Sequence, residues 1–232
     1  MHIEFQLLSA KKITVFLIIM IMFLFFCSTI GQVSKYYYGH GHLLGLVPLF
    51  YLDYEANIPT WFSSFILFIA STLLFFITKS KYKQRDEYRL FWASLAVIFL
   101  YLSIDETAML HEYPIDPLRK ILNAGGFLYY TWVVPAIIIL IALGIFFWKF
   151  LIHLPVRTRI SFIIAGSVYV GGAVGVEMIS GYYADLHGER NMIYASIITV
   201  EEIFEMSGVT IFIHALREYL PNAATSIKIN IN

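Results

Sequence analysis

A run of ionisable residues directly follows a strongly apolar segment in the middle of the chain, and this constrains the fold more than any other feature. The apolar segment comprises residues 90–104, and Asp105, Glu106, His111 and Glu112 come after it. In a continuous helix, Asp105 and Glu106 would lie at or near the depth of a lipid bilayer. A carboxylate at the centre of a membrane helix costs about 2.5–3.5 kcal/mol, and less toward the helix ends. We therefore expect groups inside the protein to compensate these acids.

Composition places the chain among integral membrane proteins. Of its 232 residues, 59% are hydrophobic and 14% are charged, and the mean hydropathy is +0.73, so polar residues are too few to cover a soluble globule. The single cysteine, Cys27, excludes an intrachain disulfide and a thiolate zinc site. The sequence has no Gly-rich phosphate loop, basic nucleic-acid patch or internal repeat. The expected partners are membrane lipids and not nucleic acid, and the sequence identifies no protein partner.

The hydropathy pattern predicts an all-α fold, a polytopic transmembrane bundle that forms one integral membrane domain over residues 1–232. Six spans are predicted, at about 13–31, 61–78, 90–110, 127–151, 160–183 and 193–219, because each is long enough to cross a hydrocarbon core about 30 Å thick. For the first span a cleaved signal peptide is the alternative, but residues 27–31 lack a clear A-x-A cleavage pattern. Pro59 suits the first turn of span two, and Pro135 is expected to kink span four.

The basic residues predict the orientation of these spans. Loops rich in Lys and Arg remain in the cytoplasm. With both termini cytoplasmic, all but four of the 16 basic residues fall on the inner side, the exceptions being Lys35, Arg119, Lys120 and Arg190. The acids have the opposite distribution, since most of the 16 lie outside or in the outer half of a span. The outer half of the bundle is therefore expected to be acidic.

Three spans carry acids on faces that could meet. Residues three, four and seven positions apart share one face of a helix. In span six, Glu201, Glu205 and Gly208 form such a stripe, and in span three Asp105 and Glu112 share a face if the helix continues as far as Glu112. Spans three, five and six can therefore aim carboxylates into one cavity that opens outward.

Span five contributes Glu177 to this predicted site. Gly171 and Gly175 precede it as a small-xxx-small pair, which is expected to let another helix approach closely. The predicted catalytic residues are Glu205, Glu201, Glu177, Asp105 and Glu106. The predicted metal ligands are Asp105, His111, Glu177, Glu201 and Glu205.

Clustered carboxylates cannot all stay ionised unless a bound cation or shared protons neutralise them. Carboxylates with one histidine on helices suit a divalent metal ion such as iron, manganese or zinc. The Glu-x-x-His spacing of di-iron bundles is absent, because Glu106 and His111 are five residues apart. A divalent metal ion and a proton relay therefore both remain open.

Structural roles are the alternative for each of these residues. Asp105 and Glu106 could mark the end of span three in the headgroup region, and Glu201 and Glu202 could form a hydrated first turn of span six. The deeper carboxylates could accept hydrogen bonds between helices, and His111 could be an interfacial histidine.

Three segments, residues 52–61, 102–112 and 199–208, together resemble a family of uncharacterised bacterial multi-pass membrane proteins. The resemblance covers most of the chain and implies a six-span protein of the bacterial plasma (inner) membrane, without implying an activity. The chain is more loosely similar to membrane hydrolases of the ceramidase and adiponectin-receptor type, which bind zinc through histidines. It departs from them by lacking a His-x-x-x-His pair in a late span.

Three functions fit these patterns. The first is a metal-dependent membrane enzyme that acts on a lipid-like substrate. The second is a proton- or cation-coupled transporter, since intramembrane acids mark transport pathways, although the two halves of the chain show no inverted repeat. The third is a non-enzymatic assembly or sensor protein. Because the acids cluster on one side and do not extend across the membrane, the enzyme hypothesis is preferred.

Overall fold

A computed structural model describes residues 2–6, 9–220 and 226–230, with side chains described over 9–220. The remaining residues of the predicted 1–232 domain lie outside the described part of the chain. The helices are α1 (Ala10–Tyr37), α2 (Leu46–Phe50), α3 (Ile58–Lys83), α4 (Arg89–Ala108), α5 (Ile115–Leu122), α6 (Val133–His153), α7 (Val156–Val170), α8 (Glu177–His187) and α9 (Met192–Tyr219). Two short strands, β1 (His2–Gln6) and β2 (Ser226–Asn230), pair antiparallel. The predicted all-α class is confirmed, apart from this pair of strands.

Five segments are long and apolar enough to cross a membrane: α1, α3, α4, α6, and Val156–His187, which contains α7 and α8. They confirm that the chain has the character of a membrane protein. The remaining long helix, α9, has 28 residues and extends about 42 Å. This helix is long enough to cross a membrane, but it is not one of the five apolar segments, because Glu201, Glu202 and Glu205 interrupt its apolar sequence.

Local sequence explains where several helices begin and end. The side chain of Asn57 accepts a hydrogen bond from Thr60 N at 3.1 Å and caps α3, and Pro59 lies in the first turn as predicted. Asn191 caps α9 in the same way through Tyr194 N. Met109, with a left-handed backbone at φ 52°, ends α4.

The central helix of the bundle is α9, which contacts α1, α3, α7 and α8. It is antiparallel to α1, because Thr14 Oγ1 lies 2.8 Å from His214 Nδ1 and Gln32 Nε2 donates to Thr199 Oγ1 at 2.7 Å. These bonds and the β1–β2 pairing place the two ends of the chain at one end of the bundle, which we call the terminal end. Hydrogen bonds of this kind hold helices together where the surroundings are apolar.

Most of the main core lies in the half of the bundle nearer the terminal end. Trp92 of α4, Phe150 of α6, and Ile213 and Leu216 of α9 are almost fully buried there. By contrast, α6 buries few of its side chains. One half of the bundle is therefore packed with apolar side chains, and the acids are concentrated in the other half.

The structure corrects two expectations about spans three and four. The helix of span three ends at Ala108, so Asp105 and Glu112 do not share a helical face. The reason is the left-handed residue Met109, which reverses the chain before Glu112. The helix of span four begins at Val133, not near 127. Pro135 therefore lies in its first turn, where a missing N–H leaves no helical bond unmade and produces no kink.

The helix of span one continues to Tyr37, beyond its predicted end at residue 31, and α2 follows it. The prediction that Gly171 and Gly175 let another helix approach span five closely is also wrong. A Cβ on Gly175 would meet nothing within 4 Å, whereas one on Gly172 would lie 2.8 Å from the backbone oxygen of Glu201. The cause is a π-helical segment, Gly171–Val176, between α7 and α8. Its wider turn changes which residues face α9.

Candidate functional site

Eight carboxylic acids approach one another at the end of the bundle opposite the terminal end, and we call them the acidic cluster. Four elements supply them: the loop before α3, the last turn of α4, the start of α8, and the first half of α9. The members, whose negative charges act on one another, are Asp53, Glu55, Asp105, Glu106, Glu177, Glu201, Glu202 and Glu205. All five predicted catalytic residues belong to this cluster.

The turn after α4 orients His111 against Asp105. Because Met109 reverses the chain, the backbone N–H of His111 donates to Asp105 Oδ1 at 2.9 Å, and its ring Nδ1 lies 2.9 Å from Asp105 Oδ2. Burial alone would lower the pKa of His111, but the hydrogen bond and the negative charges of Asp105, Glu177 and Glu112 raise it above its usual value. A carboxylate that fixes one ring nitrogen of a histidine leaves the other available for a ligand or a proton.

Trp132 connects this histidine to α8. Its indole Nε1 donates to Glu177 Oε1 at 2.7 Å, and its ring centroid lies 4.9 Å from that of His111. The bond forms because α6 begins after Trp132, which leaves this side chain at the helix end facing α8. Asp105, His111, Trp132 and Glu177 thus form a continuous chain of contacts across the site.

The π-helical segment sets the approach of α8 to α9. Since Gly172 has no side chain, the backbone of span five lies against Glu201 and Glu205 of α9. One turn after the segment, Ser180 Oγ donates to Glu201 Oε2 at 3.4 Å. Glu201 is 9% exposed. A π-helical turn next to an acidic cluster is typical of a functional site.

The deepest part of the cluster consists of Glu106, Glu202 and Glu205. The charges of Glu202 and Glu205 both interact with that of Glu106, and Glu205 also interacts with Glu201. The negative charges of Glu106, Glu202 and Glu205 also act on the phenol of Tyr169, on α7. Two helices, α4 and α9, therefore direct carboxylates to one region near the middle of α9, beside the phenol of Tyr169 on α7.

Asp53 and Glu55 form the rim of the cluster, and neither is among the site residues predicted from the sequence. Burial, partly offset by Lys35 and reinforced by the charges of Glu189 and Glu55, raises the pKa of Asp53 to about 7. Burial and the charge of Glu112 raise the pKa of Glu55. Their position immediately before the capped start of α3 could have indicated them, because that start lies beside the end of α4.

Lys35 is a cation at the same rim. Because α1 extends to Tyr37, this lysine is helical and lies over the rings of Tyr51, Tyr36 and Tyr54, with its Nζ 4.6–5.0 Å from their centroids. Its Nζ also donates to Tyr54 Oη at 2.9 Å. The aromatic rings and Asp53 therefore hold its charge at the rim, away from Glu205.

The predicted metal ligands are distributed over this cluster. Within residues 9–220, no three His, Cys, Asp or Glu side chains are arranged closely enough to hold a metal ion. Asp105 is bonded to His111, Glu177 to Trp132 and Glu201 to Ser180. Metal binding by Asp105, His111, Glu177, Glu201 and Glu205 stays a prediction.

An apolar cavity of about 270 Å³ lies directly beyond the deep acids, between α4, α6, α7 and α9. Tyr169 and Gly208 line its inner end, and Gly208 is one helical turn from Glu205. A Cβ on Gly208 would lie 2.6 Å from the backbone nitrogen of Tyr169, so α7 and α9 are in close contact there. Tyr169 therefore borders both the acidic cluster and the cavity.

Comparison with known proteins gives a family for this arrangement. A search of the curated proteins and a search of the solved structures each found no match. Residues 13–218 match the model of a family described as a domain of unknown function, DUF8692. The match includes the helices from α1 to α9 that supply the acidic cluster and the cavity. The chain therefore belongs to the DUF8692 family.

Proposed function

We propose that the protein is a bacterial inner-membrane enzyme that uses a divalent cation, held by the acidic cluster, to act on a lipid-like substrate. The proposal includes six spans, with α9 as the sixth, and cytoplasmic termini. Two observations support this topology. The two ends of the chain lie at one end of the bundle, as an even number of spans requires, and most basic residues lie near that end.

The observation that carries the proposal is the imbalance of charge in the acidic cluster. Eight carboxylic acids approach one another, and the basic groups beside them are His111 and Lys35, which lies at the rim. In surroundings of low polarity, like charges at short range strongly destabilise each other. A bound cation would remove this repulsion and draw the carboxylates together.

Two further features favour an enzyme. His111 is held by Asp105 so that one ring nitrogen remains available, which suits a ligand or a general base. The apolar cavity beside Tyr169 could hold the chain of a lipid while its polar end meets the acids. Polar groups that converge at the end of an apolar cavity are typical of small-molecule sites.

The test is the metal content of protein purified in mild detergent, together with its activity on bacterial lipids. Wild type should contain a stoichiometric divalent metal ion and convert at least one lipid species, followed by mass spectrometry. Glu205→Gln should lose the metal and the conversion while keeping the fold, because Gln is nearly isosteric with Glu. Glu218→Gln, at the exposed far end of α9, is the matched control and should retain both.

A transporter is the second candidate, and one observation favours it. The charges of Asp53, Glu55, Glu106, Glu202 and Glu205 interact in sequence from the rim to the middle of α9, as in a proton or cation pathway. The packed core around Trp92 lies beyond them. Proton or cation flux in proteoliposomes that is abolished by Glu205→Gln, without lipid conversion, would favour transport and contradict the enzyme.

A further inference from the structure

We propose that the cavity between α4, α6, α7 and α9 binds one extended hydrocarbon chain whose small, uncharged or cationic polar end lies against Tyr169. This inference rests on the proposed function, because it names the substrate class of that same site.

The cavity lies beside α6, a helix that buries few of its side chains. At one end of α6 Trp132 bonds to Glu177, and at the other the chain passes directly from His153 to Val156 and into α7. Between these points Gly144 of α6 and Gly166 of α7 line the cavity. Both glycines are exposed, so the cavity opens sideways between α6 and α7.

An acyl chain is the occupant that these surroundings favour. The opening lies along two helices that are apolar enough to cross a membrane, so the hydrocarbon of a bilayer would face it. The lining is almost entirely aliphatic and aromatic, and a cavity of that kind does not hold water. Chains from the bilayer would therefore fill it and restore the missing van der Waals contacts.

The length of the cavity fits a chain within one leaflet. Along α6 the lining extends from Leu140 to Leu151, which is about 16 Å at the rise of an α-helix. The hydrocarbon core of a bilayer is about 30 Å thick. The lining thus covers about half of the core, from near the middle of α9 toward the terminal end.

The inner end of the cavity selects the polar group. Gly208 and Tyr169 lie there, one helical turn from Glu205, in the field of Glu106, Glu202 and Asp105. One divalent cation would balance only two of the eight acids, so the remaining acids would disfavour a carboxylate or a phosphate and accept hydrogen bonds from an alcohol, an amide or an amine. Because this point lies at mid-depth in the bundle, a small polar end fits it better than a large headgroup.

The experiment measures thermal unfolding of the purified protein, held in an amphipathic polymer, with hexadecanol, hexadecylamine or hexadecanoate added. We expect the alcohol and the amine to raise the melting temperature by about 5–10 °C at a hundredfold excess over their Kd. Hexadecanoate should give a much smaller rise. Equal rises for all three would overturn the assignment of the polar end.

Two variants place a larger side chain at glycines that line the cavity. In Gly166→Leu and Gly144→Leu the new Cβ meets nothing within 4 Å, and Leu is the better helix former, so both proteins should fold. Each should lose most of the rise produced by hexadecanol. Ala142→Leu, on the opposite and exposed face of α6, is the matched control and should retain it.

The outcomes separate this inference from the proposed function. If hexadecanol raised the melting temperature of Gly166→Leu and Gly144→Leu as much as that of wild type, the site for the chain would be refuted, even if wild type contained metal. Suppose that wild type is an oligomer in solution and that these variants are monomeric but still bind the alcohol. The cavity would then be filled by a helix of a second copy, and the inference would be wrong. Loss of the rise in both variants, with wild-type metal content, would support the chain site.

Discussion

Trp132 donates its indole N–H to Glu177 across the gap between α6 and α8, at 2.7 Å. This bond fixes one member of the acidic cluster. It also places Trp132 against the ring of His111. The contact between two helices thus connects the packing of α6 to the geometry of the site.

Trp132→Phe should destabilise the protein by about 1–3 kcal/mol, because the partly buried carboxylate of Glu177 loses its donor. Chemical unfolding in detergent, followed by circular dichroism, would measure this. Trp148→Phe is the matched control, since Trp148 lies on the same helix and is 64% exposed. Equal stabilities for the two variants would contradict a structural role for the bond.

Asp105→Asn should lower the pKa of His111, because the variant removes both the charged hydrogen-bond partner and its negative charge. A raised pKa in the folded state stabilises the fold fully below the unfolded value of about 6.5, and that contribution is lost as the pH rises through the folded value. The stability difference between wild type and variant should therefore shrink as the pH rises above about 6.5.

NMR titration of the His111 ring would measure this change directly. Asp116→Asn is the control, since Asp116 lies in the following helix with its side chain 81% exposed. The His111 titration should be unaffected by that substitution. An unchanged titration in Asp105→Asn would show that the 2.9 Å contact does not hold the imidazole.

Asp53→Asn should stabilise the protein increasingly as the pH rises. The folded pKa of Asp53 is raised from 3.8 to about 7, so its contribution to stability is complete below about 3.8 and is lost as the pH rises through about 7. The amide does not ionise and avoids this loss, which we expect to be about 2 kcal/mol for a partly exposed group. Melting temperatures at pH 5 and pH 8 would measure it, with Glu87→Gln, at an exposed position in the loop before α4, as the matched control.

Gly208→Ala should destabilise the contact between α7 and α9 by about 1–3 kcal/mol. Its new Cβ would lie 2.6 Å from Tyr169 N and 2.9 Å from Ala165 O, and these are backbone atoms that cannot turn aside. Gly175→Ala is the matched control in span five, where the Cβ meets nothing within 4 Å. That substitution should be neutral or slightly stabilising. Comparable losses of stability in the two variants would refute the close approach of α7 and α9 at Gly208.

Single cysteines should report the predicted topology in a Cys27→Ser background. Tyr38→Cys, Asp116→Cys and Glu189→Cys should react with a membrane-impermeant maleimide on intact cells, because their loops lie at the end predicted to be external. Glu87→Cys should react only after the cells are opened. Labelling of Glu87→Cys on intact cells would reverse the orientation of the acidic cluster.

Several properties followed from the sequence because they depend on local composition. Long apolar runs predicted helices of membrane-spanning character, and five are confirmed. Pro59 predicted the first turn of α3, since a proline at that position leaves no helical hydrogen bond unmade. The concentration of acids in the outer halves of the spans predicted that Glu177, Glu201 and Glu205 would approach one another, because helix length alone sets their depth.

Only the tertiary structure decided which residues touch. The π-helical segment adds a residue to one turn and rotates the following residues by about 100°, so Gly172 and not Gly175 meets α9. Met109 reverses the chain and brings His111 to Asp105, which helical periodicity could not predict. Asp53 joins the cluster through a loop, and Trp132 does so because α6 begins late. Rotation about a helix axis and the path of a loop depend on packing between distant segments, and the sequence of one segment does not specify them.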